Sequence, residues 1–245
     1  MTPMIQARDL AIGWSRDAVL VEHATFEVHH GEIFGILGRS ACGKSTLLRV
    51  LVGLEAPLAG DLAMSGARMR WLDGERPIFG VMFQQGALFG SMTIGDNIAL
   101  PLERWTDLPA AAIRALVRAK LRLVGLEGAE DQLPATLSGG MRKRAAIARA
   151  LALEPSLLFL DEPSSGLDPV TSAELDRLVK TLAHVLGLTV VMVTHELGSI
   201  NAIVDRCILL DHESRSVLAS GTPRELRDSA NPRVQHFFNR VPEAV

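Results

Sequence analysis

The chain has no tyrosine, and phenylalanine and tryptophan bring its aromatic content to only 4%. Its core must therefore be built from aliphatic side chains, and each tryptophan becomes a candidate for one specific contact. Cysteine is almost as scarce, with Cys42 and Cys207 alone. Two thiols make neither a disulfide framework nor, by themselves, a zinc site. No apolar run approaches the roughly 18–20 residues that a membrane-spanning helix needs. The opening "MTPMIQARDL" lacks the basic-then-apolar layout of a secretory signal, so the chain is expected to stay in the cytosol. A dominant charge is missing too. A net charge of −3 and a pI near 6.2 leave no basic footprint, which excludes nucleic acid as the expected partner. What is abundant is apolar residues: 48% of 245, with a mean hydropathy of +0.22, enough for a substantial core and for one surface that meets apolar partners.

Against that background one short stretch carries chemistry. Gly38-Arg39-Ser40-Ala41-Cys42-Gly43-Lys44-Ser45-Thr46 fits the phosphate-loop pattern G-x-x-x-x-G-K-[ST]. The apolar run Ile33–Leu37 before it suits a buried strand, and Leu47–Leu51 after it has helical character. Strand, glycine loop and helix together aim backbone N–H groups at a phosphate. Lys44 then reaches the β- and γ-phosphates of a nucleoside triphosphate, and the Ser45 hydroxyl ligates Mg2+. Cys42 reads as a small filler inside the loop rather than a nucleophile.

Further along, "LLFLDE" is an apolar strand that ends in two carboxylates. Beside a phosphate loop it delivers Asp161 to the Mg2+ shell, and Glu162 can polarise an attacking water as a general base. "LSGG", Leu137–Gly140, opens the helical stretch "MRKRAAIARALAL", a second anion seat built from backbone donors and the helix dipole. Arg142, Lys143 and Arg144 read as the solvated face of that helix. Two phosphate seats can serve one nucleotide only when two chains face each other.

The rest of the chain alternates strands and helices. Residues 5–30 and 60–66 read as short β segments, and 157–160, 188–193 and 207–210 as apolar strands. Residues 109–124 and 171–186 carry helical periodicity, the second stopping at Gly187. Thr222-Pro-Arg-Glu225 is a capping box. The fold class is α/β, a mostly parallel sheet core with an N-terminal antiparallel β subdomain and an inserted α-helical subdomain. Residues 1–85 and 155–245 are expected to form the nucleotide-binding core, and 86–154 the helical subdomain, within one domain.

In this order the motifs resemble the nucleotide-binding subunit of an ATP-binding-cassette (ABC) transporter over nearly the whole chain. Gly38–Thr46 resembles its Walker A loop, Gln84 in "VMFQQ" its Q-loop glutamine, and Ser138-Gly139-Gly140 its signature. Asp161-Glu162 resembles the Walker B pair, Ser165–Asp168 the D-loop, and His195 in "VMVTHE" the switch histidine. The resemblance implies that two copies close head to tail around two ATP molecules. Each ATP then lies between Lys44 of one chain and Ser138–Gly140, with Asp168, of the other. Glu162 activates water, His195 contacts the γ-phosphate, and Gln84 senses Mg2+ while linking to the membrane partner. The family usually stacks adenine on an aromatic near the N-terminus, which makes Trp14 the candidate; a packing residue at a strand end is the competing reading. Two departures stand out: Ala41 where the family usually has glycine, and Met141 where glutamine is common.

"FQQGALFGSMTIGDNIALPL", Phe83–Leu102, resembles the ATPases of phospholipid-trafficking systems that maintain outer-membrane lipid asymmetry, the Mla type, as do "LSGGMRKRAAIARALALEP" and "NPRVQHFF". That resemblance implies phospholipid transport between inner and outer membranes, powered from the cytoplasmic face of the bacterial inner membrane. Its implied partners are a permease docking near Ala87–Leu100, an MCE-domain lipid-binding protein and a small STAS-domain protein. Ala87, Leu88, Phe89, Met92 and Ile94 are the expected permease groove. An importer of polar nutrients, of the amino-acid type, is the alternative. A soluble non-transport ABC ATPase is more distant, because it would need a coiled-coil insertion or a second cassette.

Overall fold

The computed structural model describes residues 3–65, 67–68 and 77–239. In chain order the elements are β1 (Ile5–Ser15), β2 (Ala18–Val28), β3 (Ile33–Gly38), α1 (Lys44–Leu51), β4 (Ala59–Met64) and β5 (Ala67–Arg68). They continue with β6 (Phe79–Met82), α2 (Ile94–Trp105), α3 (Ala110–Leu123), a 3-10 turn (Pro134–Thr136), α4 (Gly139–Ala150) and β7 (Leu157–Asp161). The remainder is α5 (Pro169–Leu186), β8 (Thr189–Thr194), α6 (Leu197–Ile203), β9 (Arg206–Asp211), β10 (Ser216–Gly221), α7 (Pro223–Arg227) and α8 (Pro232–Asn239). The chain divides into two compact units, Met1–Glu75 with Thr189–Val245, and Arg76–Leu188.

In the first unit β1 pairs antiparallel with β2 and β4, so Ile5 lies opposite both Val28 and Met64. This is the antiparallel subdomain, in the order β2-β1-β4-β5. The β segment expected at 60–66 reaches Gly66, which lies outside the described residues. A second set of strands runs β10-β9-β3-β8, with β3 parallel to both neighbours. Every residue of β3 is buried. Its uninterrupted apolar run suits a central parallel strand covered on both faces. Asp205 accepts a 2.8 Å hydrogen bond from the Ile33 N–H, and Arg206 pairs with Glu32 at 3.1 Å, which fixes where β3 begins.

In the second unit β6 and β7 are parallel, and helices α2 to α5 make up most of the rest. α2 opens on a capping box, Thr93 with Asp96. α5 runs from an Asp168 cap to Gly187, whose φ of 64 ends it as expected. The apolar stripe of α5 buries Leu175, Val179 and Leu182, while Leu178 is half-buried and Leu186 in the last turn is exposed. The Thr222–Glu225 capping box forms with both hydrogen bonds. Among the described residues no helix is long and apolar enough to cross a membrane.

Candidate nucleotide-binding and hydrolysis site

In the first unit β3 ends at Gly38 and α1 begins at Lys44, so the phosphate loop is the connection between a buried strand and a helix start. Gly43 sits at the N-cap with φ 99, a backbone conformation glycine adopts without strain, and no side chain caps the amides of the first turn. Those N–H groups and the positive end of the helix dipole form an anion seat. Lys44 is 93% buried, its Nζ donating to the carbonyls of Gly38 at 2.9 Å and Arg39 at 2.8 Å. The ammonium is thereby held over the loop that would wrap a phosphate. Ser45 is half-buried and Thr46 buried in the first turn of α1.

Ala41 has φ 64, in the left-handed region where an L side chain is strained and glycine is not. The substitution noticed in the sequence therefore falls on a position with a positive φ. Cys42 is buried, and burial raises its thiol pKa, which makes it the inert filler expected. Arg39, Ser40 and Ala41 also line an open pocket of about 320 Å3 together with the end of β9 and Phe237 of α8. His195 is exposed directly after β8, and Trp14, near the end of β1, is 75% exposed.

In the second unit β7 delivers Asp161 and Glu162 to its C-terminal end, both buried. Glu162 has φ 47, a left-handed conformation at a non-glycine residue. Gln84 follows β6 with its side chain exposed. Ser138 caps α4, its Oγ accepting from the Met141 N–H at 3.3 Å. Gly140 admits no side chain, since a Cβ there would stand 2.5 Å from Thr171 Cγ2. Asp168 caps α5, accepting from the Val170 and Thr171 amides and from the Thr171 hydroxyl. The Thr171 hydrogen bonds hold its carboxyl below the usual carboxylate range.

Two expectations are corrected here. Of Arg142-Lys143-Arg144, Arg142 is exposed as a solvated face requires and Arg144 is half-buried with an ion pair to Glu174 at 3.0 Å, but Lys143 is buried. In the proposed permease groove, Phe89 is 51% exposed, but Ile94 is fully buried in the unit's own core. The periodicity of α2 turns Ile94 and Ile98 inward together.

Asn97 went unremarked in the sequence. Fully buried, it accepts from the Phe89 N–H at 2.8 Å and donates to the carbonyls of Phe89, Met92 and Thr93. It fixes the loop that follows Gln84. Its signal was a single amide side chain on the apolar face of "IGDNIALPL".

A phosphate loop between a central parallel strand and an uncapped helix defines a P-loop nucleotide-binding protein. The family described as ABC transporter matches residues 21–165. The chain is 36% identical over 243 residues to the intermembrane phospholipid transport system ATP-binding protein MlaF of Escherichia coli, covering 97% of this chain and 89% of that one. It is 41% identical over 224 residues to the probable ribonucleotide transport ATP-binding protein mkl of Mycobacterium leprae, covering 89% of this chain and 64% of that one. Among solved structures, an ATP-binding cassette seen as a dimer in a post-hydrolysis state with ADP and Pi superposes with a TM-score of 0.79 at 27% identity, over 89% of this chain and 98% of that one. The chain belongs to the ABC transporter family. It is an ATP-binding, ATP-hydrolysing cassette of that family.

Proposed function

We propose that the chain is the ATPase subunit of a transporter that moves phospholipid between the inner and outer membranes of a bacterium. The observation that carries this reading is the likeness to MlaF along 97% of the chain, including the Phe83–Leu102 segment. It works at the cytoplasmic face of the inner membrane, bound to a permease through the exposed loop around Phe89. An MCE-domain lipid-binding protein and a STAS-domain protein complete the assembly.

ATP binds with its phosphates at the α1 N-terminus and Lys44, and its adenine on Trp14. The residues that resemble the family's metal ligands, the Ser45 hydroxyl, the Asp161 carboxylate and the Gln84 side-chain carbonyl, would each offer an oxygen. Hard oxygen donors suit Mg2+. Bound there, the ion neutralises charge on the β- and γ-phosphates. Glu162 accepts the proton of the attacking water, and His195 holds the γ-phosphate. A second copy closes the site with Ser138, Gly139, Gly140 and the Asp168 turn; the dimer formed by the cassette it resembles supports the pairing of two copies. Closed and open dimers make different contacts with the permease, and that difference drives transport.

Replacing Glu162 by Gln tests both halves of the reading. The variant is expected to bind ATP, hydrolyse it at least about 100-fold more slowly, and accumulate as a dimer. Undiminished turnover removes Glu162 as the base. Tagged and purified from detergent-solubilised membranes of its own source, the same variant should bring down a permease, an MCE-domain protein and phospholipid. A soluble solute-binding protein in their place, without lipid, would move the substrate to polar solutes. The name of the mycobacterial relative makes that outcome the one to look for.

A further inference from the structure

Lys143 shares one stripe of α4 with Gly140 and Ile147, both buried. The residue is itself only 8% exposed, and its Nζ is directed at two backbone carbonyls. One is that of Gln84. The other, at 3.2 Å, is that of Glu162. An ammonium has three donors and no acceptor, so one side chain holds both carbonyls at once. Near its C-terminal end the same helix repeats the device. Arg149 donates to the carbonyls of Ala87 at 2.6 Å and Gly86 at 3.1 Å.

The residues held this way include two in the left-handed region, Glu162 at φ 47 and Ala87 at φ 49. L side chains persist there only where neighbouring groups over-determine the backbone. The Glu162 carbonyl is fixed from two directions, by Lys143 and by the Ser165 N–H at 3.2 Å. On the other side of Gln84, Asn97 pins the loop that exposes Phe89. A continuous chain of hydrogen bonds and backbone thus runs from the exposed loop, through Gln84, across Lys143, to the residue that carries the candidate base.

We propose that Lys143 is a positioning residue for ATP hydrolysis: by holding the carbonyls of Gln84 and Glu162 together, it sets the Glu162 carboxylate and makes it answer to movements of the loop after β6. Lys143 acts through Glu162 and is not itself a catalytic group. The assignment rests on Glu162 as the base.

Lys143→Met keeps the length and apolar stem and removes the donors, while Lys143→Arg keeps donors and charge. Both are assayed as the full chain, by steady-state hydrolysis against ATP concentration and by binding of a fluorescent ATP analogue. The Met variant should lose about 10- to 100-fold in kcat, the scale of a small displacement near the chemistry. Its KM and nucleotide affinity should change by less than about threefold, and the Arg variant should recover most of the rate. A Met variant with kcat within about twofold of wild type overturns the proposal, as does a loss confined to KM or an Arg variant as slow as Met. Should Lys143→Met fail to fold, Lys143→Gln carries the test: kcat between wild type and inactivity is expected, and wild-type kcat overturns it. Glu162→Gln is measured alongside. Full turnover in that variant overturns the base assignment and this proposal together, whereas a slow Glu162→Gln with a normal Lys143→Met overturns this proposal alone.

Discussion

Two helices in this chain begin on glycine-bearing turns, and their first turns are finished differently. α1 follows Gly43 with no side-chain cap, and Lys44 turns its ammonium back over the loop. α4 follows Ser138, whose hydroxyl takes the Met141 N–H for itself. Both present a helix dipole to an anion. The first leaves its leading amides to a ligand and adds a buried cation; the second satisfies one amide internally. One chain therefore carries a strong phosphate seat and a weak one. In the proposed dimer a second copy presents the weak seat to nucleotide already held by the strong one.

Removing the cation from the strong seat should produce the largest effect. Lys44→Ala is expected to weaken ATP binding at least about 100-fold, close to 3 kcal/mol at 1.4 kcal/mol per tenfold. A fluorescent-nucleotide titration reads it. Affinity within about threefold of wild type would mean that the α1 amides alone carry the seat, and the contrast with α4 would rest on capping only.

Trp14, proposed to stack on adenine, offers a way to separate base from phosphate on the α1 side. Trp14→Ala should weaken ATP by about 1–3 kcal/mol, the scale of base–aromatic stacking. Inorganic tripolyphosphate, which has no base, should bind the variant as it binds wild type. Equal losses for both ligands would place Trp14 in the loop's support rather than against adenine. Unchanged ATP affinity would remove it from the site.

How much of this was legible in the sequence depends on the kind of signal. The phosphate loop, the Asp161–Glu162 strand end and the Thr222 capping box are local patterns, and each forms where its spacing placed it. The positive φ at Ala41 was legible only as a departure from the family's glycine. β10 went unread because its residues are all half-buried or exposed, and such an edge strand has no clean alternation to detect. Lys143 was misread because three consecutive basic residues look like a solvated face. The helical period of Gly140, Lys143 and Ile147 already argued against that. The left-handed conformation at Glu162 had no sequence signal; its carbonyl is held by the local Ser165 amide and by Lys143 from a separate helix.

Ala41 tests whether the strong seat is also a strained one. With φ 64 the alanine stores on the order of 1–2 kcal/mol. Glycine there relieves that strain but adds about 0.4–1 kcal/mol of unfolded-chain entropy to lose. Ala41→Gly should therefore raise unfolding stability, measured by denaturant at saturating ATP, by a net of about 1 kcal/mol or less. Lower stability would mean that the loop tolerates alanine without strain, leaving only the entropic cost.

Ser138→Ala sharpens the comparison from the weak side, with the smallest expected change in the single chain. The cap is exposed and its hydrogen bond long at 3.3 Å, so its loss should cost about 0.5 kcal/mol, the low end of the range for N-caps. ATP affinity, measured at chain concentrations too low for dimers, should not move if, as proposed, the α4 seat of one chain serves nucleotide bound by another. Hydrolysis at high chain concentration should fall, since there the seat completes the site. A loss of ATP affinity in the dilute chain would place α4 against the nucleotide of its own chain, and the division into a strong seat and a borrowed one would fail.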